Sequence, residues 1–277
     1  MTYFNAIVLG LIQGLAEFLP ISSSGHLAIA QNLLGMQDAG TVPELFDVLL
    51  HLGTLLAVFV AYWSDIWEMI LEFFRGCSDL AHRSTPHPKP PARRMVGLVI
   101  VATLPLFLIL PIRKSVQGLA GSMVFIGGAL IVTGILLFAS DRIRRGRKTD
   151  ADAKWWEALI VGCGQAVATL PGISRSGMTI TTGCFMGFER SFAVRFSFIM
   201  SIPAILGANI LGLKDAFEVG IIWSEVPMYL AGVVTAAVVG YLCIRLLKMI
   251  AAKGKFGFFA YYCWAVGILT LVLNAIR

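Results

Sequence analysis

Long apolar runs dominate the chain, and they come in two kinds. Six are continuous and approach the length a bilayer-crossing helix needs, about 20 residues. They run roughly 46–63, 95–112, 119–140, 196–213, 226–247 and 256–276. Two others, roughly 4–35 and 155–188, are broken near their centres by proline and glycine, in "LPISSSG" and "LPGISRSG". Each half of a broken run is too short to span. Breaks at membrane depth persist only where they line a cavity or are buried in protein. The pattern therefore predicts an all-α polytopic membrane protein, one membrane domain over 1–277. It has six transmembrane helices and two re-entrant helix–loop–helix hairpins, or four half-helices.

The two broken runs resemble each other. With Gln13 set on Gln165, Gly10 meets Gly162, Ala16 meets Ala168 and Ile21 meets Ile173. Ser22, Ser24 and Gly25 then meet Ser174, Ser176 and Gly177. A weaker echo pairs "FDVLLHLGTLL" (46–56) with "FSFIMSIPAIL" (196–206). This predicts a duplicated chain: repeat one over 1–140, repeat two over 151–277, and a cytoplasmic linker over 141–150. Three full spans separate the hairpins, an odd number, so the second copy is inverted and the two tips can meet near the midplane. Inverted repeats with broken helices also occur in transporters, so the architecture alone does not choose between carrier and enzyme.

Charge sets the orientation. The chain is 57% hydrophobic and only 14% charged, against about 25% charged in a soluble domain. The net charge of +6 comes mostly from three loops, 75–94, 141–154 and 245–255. The positive-inside rule places all three in the cytoplasm, so residues before 46 and both termini fall outside. This distribution points to membrane orientation and to no nucleic-acid partner. The prolines from Pro86 to Pro91 make the first loop an extended linker. The opening residues, "MTYFNAIVLG", have no basic n-region, so no removable signal peptide is expected. Five scattered cysteines without metal-type spacing read as packing residues.

The chemistry gathers at the breaks. Gln13 and Glu17 share a helical face, and a carboxylate on an apolar helix needs a cavity or a partner. Pro20 ends that helix. Ser22, Ser23 or Ser24 can cap the next, whose free N–H groups favour an anion, with His26 in its first turn. The second tip offers Ser174, Arg175 and Ser176. Arg175 has no acid within one helical turn, and its planar fork suits a phosphate. Plain helix capping accounts for any one of these serines, and a salt bridge to Arg175 accounts for Glu17. Two polar clusters at matching places on hairpins that meet point instead to an anion site with a carboxylate, a hydroxyl nucleophile and a base. Phe18, Leu19 and the phenylalanines near 185–198 are candidates for lining a lipid tail.

"QGLAEFLPISSSGH" and "LPGISRSGMTI" closely resemble the two signature motifs of the bacterial undecaprenyl-diphosphate phosphatases, the bacitracin-resistance family. The resemblance extends over nearly the whole chain, and the family is similar in fold to the architecture above. It implies hydrolysis of undecaprenyl diphosphate to undecaprenyl phosphate and inorganic phosphate in the bacterial cytoplasmic (inner) membrane. It also implies a site open to the outer face, a divalent cation (Mg²⁺ or Ca²⁺), a polyprenyl diphosphate substrate and a homodimer. The family's essential acid falls on Glu17, which would also hold the metal. The position four earlier, Glu or Gln in the family, is Gln13 here, which weakens a two-carboxylate metal site. The proposed nucleophile falls on Ser23, the residue after it on Ser24, and the family histidine on His26. The second motif's serine and arginine fall on Ser174 and Arg175. The resemblance implies that Arg175 binds the diphosphate while Ser23 attacks with His26 as proton acceptor. Direct attack by water, with His26 or Glu17 as base, and a flippase using the same site both remain open at the level of sequence.

Overall fold

The computed structural model describes residues 1–36, 44–82, 90–143, 145–253 and 256–276. The described residues form twelve α-helices: α1 (Tyr3–Phe18), α2 (Ser23–Leu33), α3 (Glu44–Ala61), α4 (Trp63–Ala81), α5 (Pro91–Thr103), α6 (Arg113–Gly118), α7 (Met123–Ser140), α8 (Trp155–Val167), α9 (Arg175–Phe185), α10 (Arg190–Val219), α11 (Val226–Lys253) and α12 (Gly257–Ile276). Among the described residues the only strand-like pairing is one bridge, Lys148 with Phe188.

Five segments are long and apolar enough to cross a membrane: Pro91–Leu108, Met123–Ser140, Arg190–Glu218, Trp223–Lys253 and Gly257–Ile276. Leu45–Ala61 and Trp63–Ala81 pass that test as a pair, bent by 85°. The spans expected from the sequence therefore lie on helices, with two differences. The run 95–112 is α-helical only to Thr103 and continues as 3₁₀ turns to Ile112. Pro105 and Pro111 fall in those turns, and neither has the N–H that an α-helix needs. The second difference is α4, which the sequence pattern did not separate from the basic loop. Most of the proline linker, Pro86–Lys89 included, lies outside the described residues.

Both broken runs are helix–break–helix, and the local chemistry differs between them. At the first tip Pro20 forces Leu19 into extended backbone (φ −65°, ψ 142°) and α1 stops. Ser22 then takes φ 75°, a strained conformation for a residue with a Cβ. At the second tip Leu170–Pro171–Gly172–Ile173 forms a turn, closed by the Ile173 N–H donating to Leu170 O at 3.1 Å. Proline precedes a glycine at φ 89°, the pattern of a type II turn. Ser22 and Ser174 cap the following helices, accepting from Gly25 N and Gly177 N at 3.3 and 3.1 Å.

The tips cross in contact. A Cβ on Gly25 would lie 3.2 Å from Gly172 Cα, and one on Gly177 would lie 3.4 Å from Pro20 Cβ. Thr133 of α7 holds the second tip, donating to Gly172 O at 3.3 Å and accepting from Ser174 N at 3.1 Å. Behind the tips, α1 packs on α11 and α8 packs on α5. Both seams need glycine, because a Cβ on Gly10 would meet Gly232 O at 2.3 Å and one on Gly162 would meet Ala102 O at 2.3 Å. Close backbone approach of this kind is how helices associate where lipid removes the hydrophobic drive. Phe18, Phe188, Phe192, Phe196 and Phe198 are buried in the central core, which makes them packing residues and not a lining for a lipid tail.

Substituting Gly10 or Gly162 by alanine is expected to cost about 1–3 kcal/mol through overpacking. In detergent this appears as a lower unfolding temperature for either variant. A Gly97→Ala control, with open space around it, should show no such drop.

Candidate active site at the crossed tips

Glu17 sits in the last turn of α1, just before the break, and is 8% exposed. Three groups converge on it. Arg175, the first residue of α9, donates from Nη2 to Oε1 at 2.5 Å. Ser23, the first residue of α2, donates from Oγ to Oε2 at 2.6 Å. Gln13, one turn back on α1 and fully buried, donates from Nε2 to Oε2 at 3.2 Å. A carboxylate with so little water around it is stable only with such partners. The counter-ion that Arg175 lacked in its own hairpin is thus Glu17 of the other.

Two polar atoms here remain unpartnered although buried: Arg175 Nη1 and Gln13 Oε1. The first is a cationic donor without an acceptor, and the second is an acceptor without a donor. The N-termini of α2 and α9 add to this. The first N–H groups of a helix have no intrahelical acceptor and favour negative charge. The site therefore offers an anion one arginine fork and the positive ends of two half-helices.

The remaining serines hold the tips in shape. Ser22 and Ser174 spend their hydroxyls as caps. Ser176, buried, donates to Leu19 O at 3.3 Å and so ties the tips together. Ser24 is exposed and accepts from Gly172 N at 3.3 Å. Of the serines read as phosphate-binding from the sequence, Ser22, Ser174 and Ser176 serve the tip backbone, and Ser24 alone stands in the open.

His26 is not the partner of Ser23 in this geometry. Its Nδ1 faces Ser22 O at 2.8 Å, and its Nε2 faces the Tyr262 hydroxyl of α12 at 2.9 Å. A carbonyl only accepts, so Nδ1 carries the proton, and in the neutral ring Nε2 accepts from Tyr262. The two rings stack at 5.5 Å. The Ser23 hydroxyl proton is directed at Glu17 Oε2 instead.

Sequence reasoning missed Tyr262, Thr133 and His51. His51 of α3 lies within electrostatic reach of Glu17. It was visible as a titratable group in an apolar run, whereas Tyr262 and Thr133 gave no local signal. Among the described residues no group of three or more His, Cys, Asp or Glu is placed to hold a metal ion. The oxygen donors that are present, Glu17 and the unpartnered Gln13 Oε1, suit a hard cation that takes its other ligands from substrate oxygens and water.

A family model described as bacitracin resistance protein BacA matches residues 6–269. The chain is 41% identical over 275 residues to an undecaprenyl-diphosphatase of Alkaliphilus metalliredigens, covering 99% of each. It is 42% identical over 277 residues to one of Syntrophotalea carbinolica, covering 99% of this chain and 100% of that one. It is 37% identical over 278 residues to one of Methanosphaera stadtmanae, covering 98% of each. With both tips, the spans between them and the helices behind them inside the matched region, the chain belongs to the bacitracin resistance protein BacA family.

Proposed function

We propose that the crossed tips hydrolyse undecaprenyl diphosphate to undecaprenyl phosphate and inorganic phosphate. Ser23 is the nucleophile, Glu17 its proton acceptor and Arg175 the phosphate-binding cation. Recycling of the lipid carrier for cell-wall synthesis and resistance to bacitracin follow from that reaction. The observation that carries this assignment is the Arg175–Glu17–Ser23 chain, with Arg175 Nη1 still unpartnered. A carrier has no use for a hydroxyl held on a carboxylate.

The diphosphate engages Arg175 and the N-termini of α2 and α9. As the arginine turns to phosphate, Glu17 is left free to receive the Ser23 proton. Ser23 Oγ attacks the terminal phosphorus and the anhydride P–O bond breaks, releasing undecaprenyl phosphate. Water then attacks the phosphoserine, its proton passing to the Tyr262 oxygen as the Tyr262 hydroxyl proton moves to His26 Nε2, while Glu17 returns a proton to Ser23 Oγ as the Oγ–P bond breaks. A divalent cation, Mg²⁺ or Ca²⁺, held by Glu17 and Gln13 Oε1, neutralises diphosphate charge when bound.

The tips are read as re-entrant hairpins of an inverted repeat. The matched seams α1–α11 and α8–α5, each with a glycine against a backbone carbonyl, support this. With the basic loops on the inner side of a bacterial cytoplasmic membrane, the first hairpin enters from the outer face and the site opens to that face.

Phosphate release from a long-chain prenyl diphosphate, in detergent with Mg²⁺, Ca²⁺ or EDTA, tests the assignment. Release should require metal and fall by about a hundredfold or more in Ser23→Ala and Arg175→Ala. Near-normal turnover in Arg175→Ala overturns the site, and wild-type activity in Ser23→Ala moves the attack to water. Tyr262→Phe keeps the ring stack but removes the hydrogen bond to His26, and should lower kcat about fivefold. In a His26→Ala background the same change should have no further effect, because the two residues act through one contact.

A further inference from the structure

We propose that α4 is an interfacial helix: it lies in the plane of the cytoplasmic membrane surface with its aromatic face among the lipid headgroups and upper acyl chains. The first support is length. The 18 residues of α3 rise about 27 Å at 1.5 Å each, close to the roughly 30 Å of a hydrocarbon core. The chain then turns by 85° into α4. A helix perpendicular to a completed span runs along the membrane.

The turn is held in place. Lys248 of α11 donates to Ala61 O at 3.1 Å and lies 3.6 Å over the Tyr62 ring. This satisfies a carbonyl at the end of α3 and braces the corner. Three acids spaced seven apart, Asp65, Glu72 and Asp79, form one stripe of α4. Asp65 pairs with Arg195 of α10 at 3.2 Å, and Glu72 and Asp79 pair with Arg93 of α5 at 3.0 and 2.7 Å. Ile66, about 100° round the helix from Asp65, is also buried. The helix is therefore strapped to the protein along its whole length, which leaves the rest of its circumference uncovered.

That remainder divides into two arcs of opposite character. Trp63, Trp67, Ile70 and Phe74 lie on one arc, 59%, 50%, 40% and 65% exposed. Trp63 and Trp67 stack at 5.9 Å. Phe73 and Leu80, 46% and 76% exposed, extend that apolar side, while exposed Ser64, Glu68, Arg75 and Ser78 lie on the other arc with Leu71, 38% exposed, as its one apolar member. Protein, aromatic and polar sides each take about a third of the helix. A helix bordered by protein, lipid and water needs these three sides. Tryptophan and phenylalanine on the second side suit the bilayer boundary, and Arg75 on the third suits anionic headgroups.

Cysteine labelling in sealed vesicles tests this. Ser64→Cys, Ser78→Cys and Phe74→Cys are made singly in a Cys77→Ser/Cys163→Ser background, which removes the two exposed native thiols. A membrane-impermeant maleimide is then applied from either side. The proposal expects Ser64→Cys and Ser78→Cys to label from the same side, and Phe74→Cys to label at least about tenfold more slowly until detergent is added. Labelling of Ser64→Cys and Ser78→Cys from opposite sides would make α4 a crossing segment and overturn it. So would rapid labelling of Phe74→Cys in vesicles, which puts that face in water. Protection that persists in detergent also overturns it, since a protein then covers the face. Retained phosphate release identifies variants that have folded.

Discussion

An arginine and a glutamate that share one hydrogen bond across two separate hairpins organise this protein. Neither charge is tolerable alone in so apolar a chain, because an isolated buried ion costs several kcal/mol. Each sits at the end of a half-length helix, so bringing them together requires both helices to stop at the same depth. Pro20 stops one, and Pro171 with Gly172 turns the other. The crossing is tightest at Gly25, where a Cβ would lie 3.2 Å from the Gly172 backbone of the opposite tip. The fold behind the tips, with its glycine seams, delivers this one juxtaposition.

The serine-rich motifs divide their labour in a way that residue type does not reveal. Ser22, Ser174 and Ser176 satisfy backbone groups that helix breaks leave open, and only Ser23 is aimed at the carboxylate. The cost of such a break is borne unequally. The second tip uses glycine at its positive φ, while the first places Ser22 there, at about 1–3 kcal/mol of strain. Ser23, the next residue, begins α2 and faces Glu17.

Much of this was legible in the chain. Apolar runs of spanning length stand out because lipid demands them, and the broken runs stand out because proline, glycine and several polar residues cluster at their centres. Glu17 and Arg175 were legible as charges that an apolar surrounding must pair. What sequence could not supply was the partner of each polar group. His26 finds Tyr262 across 236 positions, and Thr133 reaches the second tip from α7. The helix α4 was hidden for a different reason. Its acids and aromatics alternate along the chain and separate only on the helix surface, so a reading by runs saw neither a span nor a loop.

Ser23 and Arg175 occupy the same place in their two tips: each is the first helical residue after a capping serine. One bears a hydroxyl and the other a guanidinium, and each broken run carries only one of them. Similarity between the two runs therefore preserves the frame, while difference between them sets two unlike groups on one carboxylate. A change that copied either tip onto the other would leave a chain with glycines, caps and seams in order and two like groups on that carboxylate.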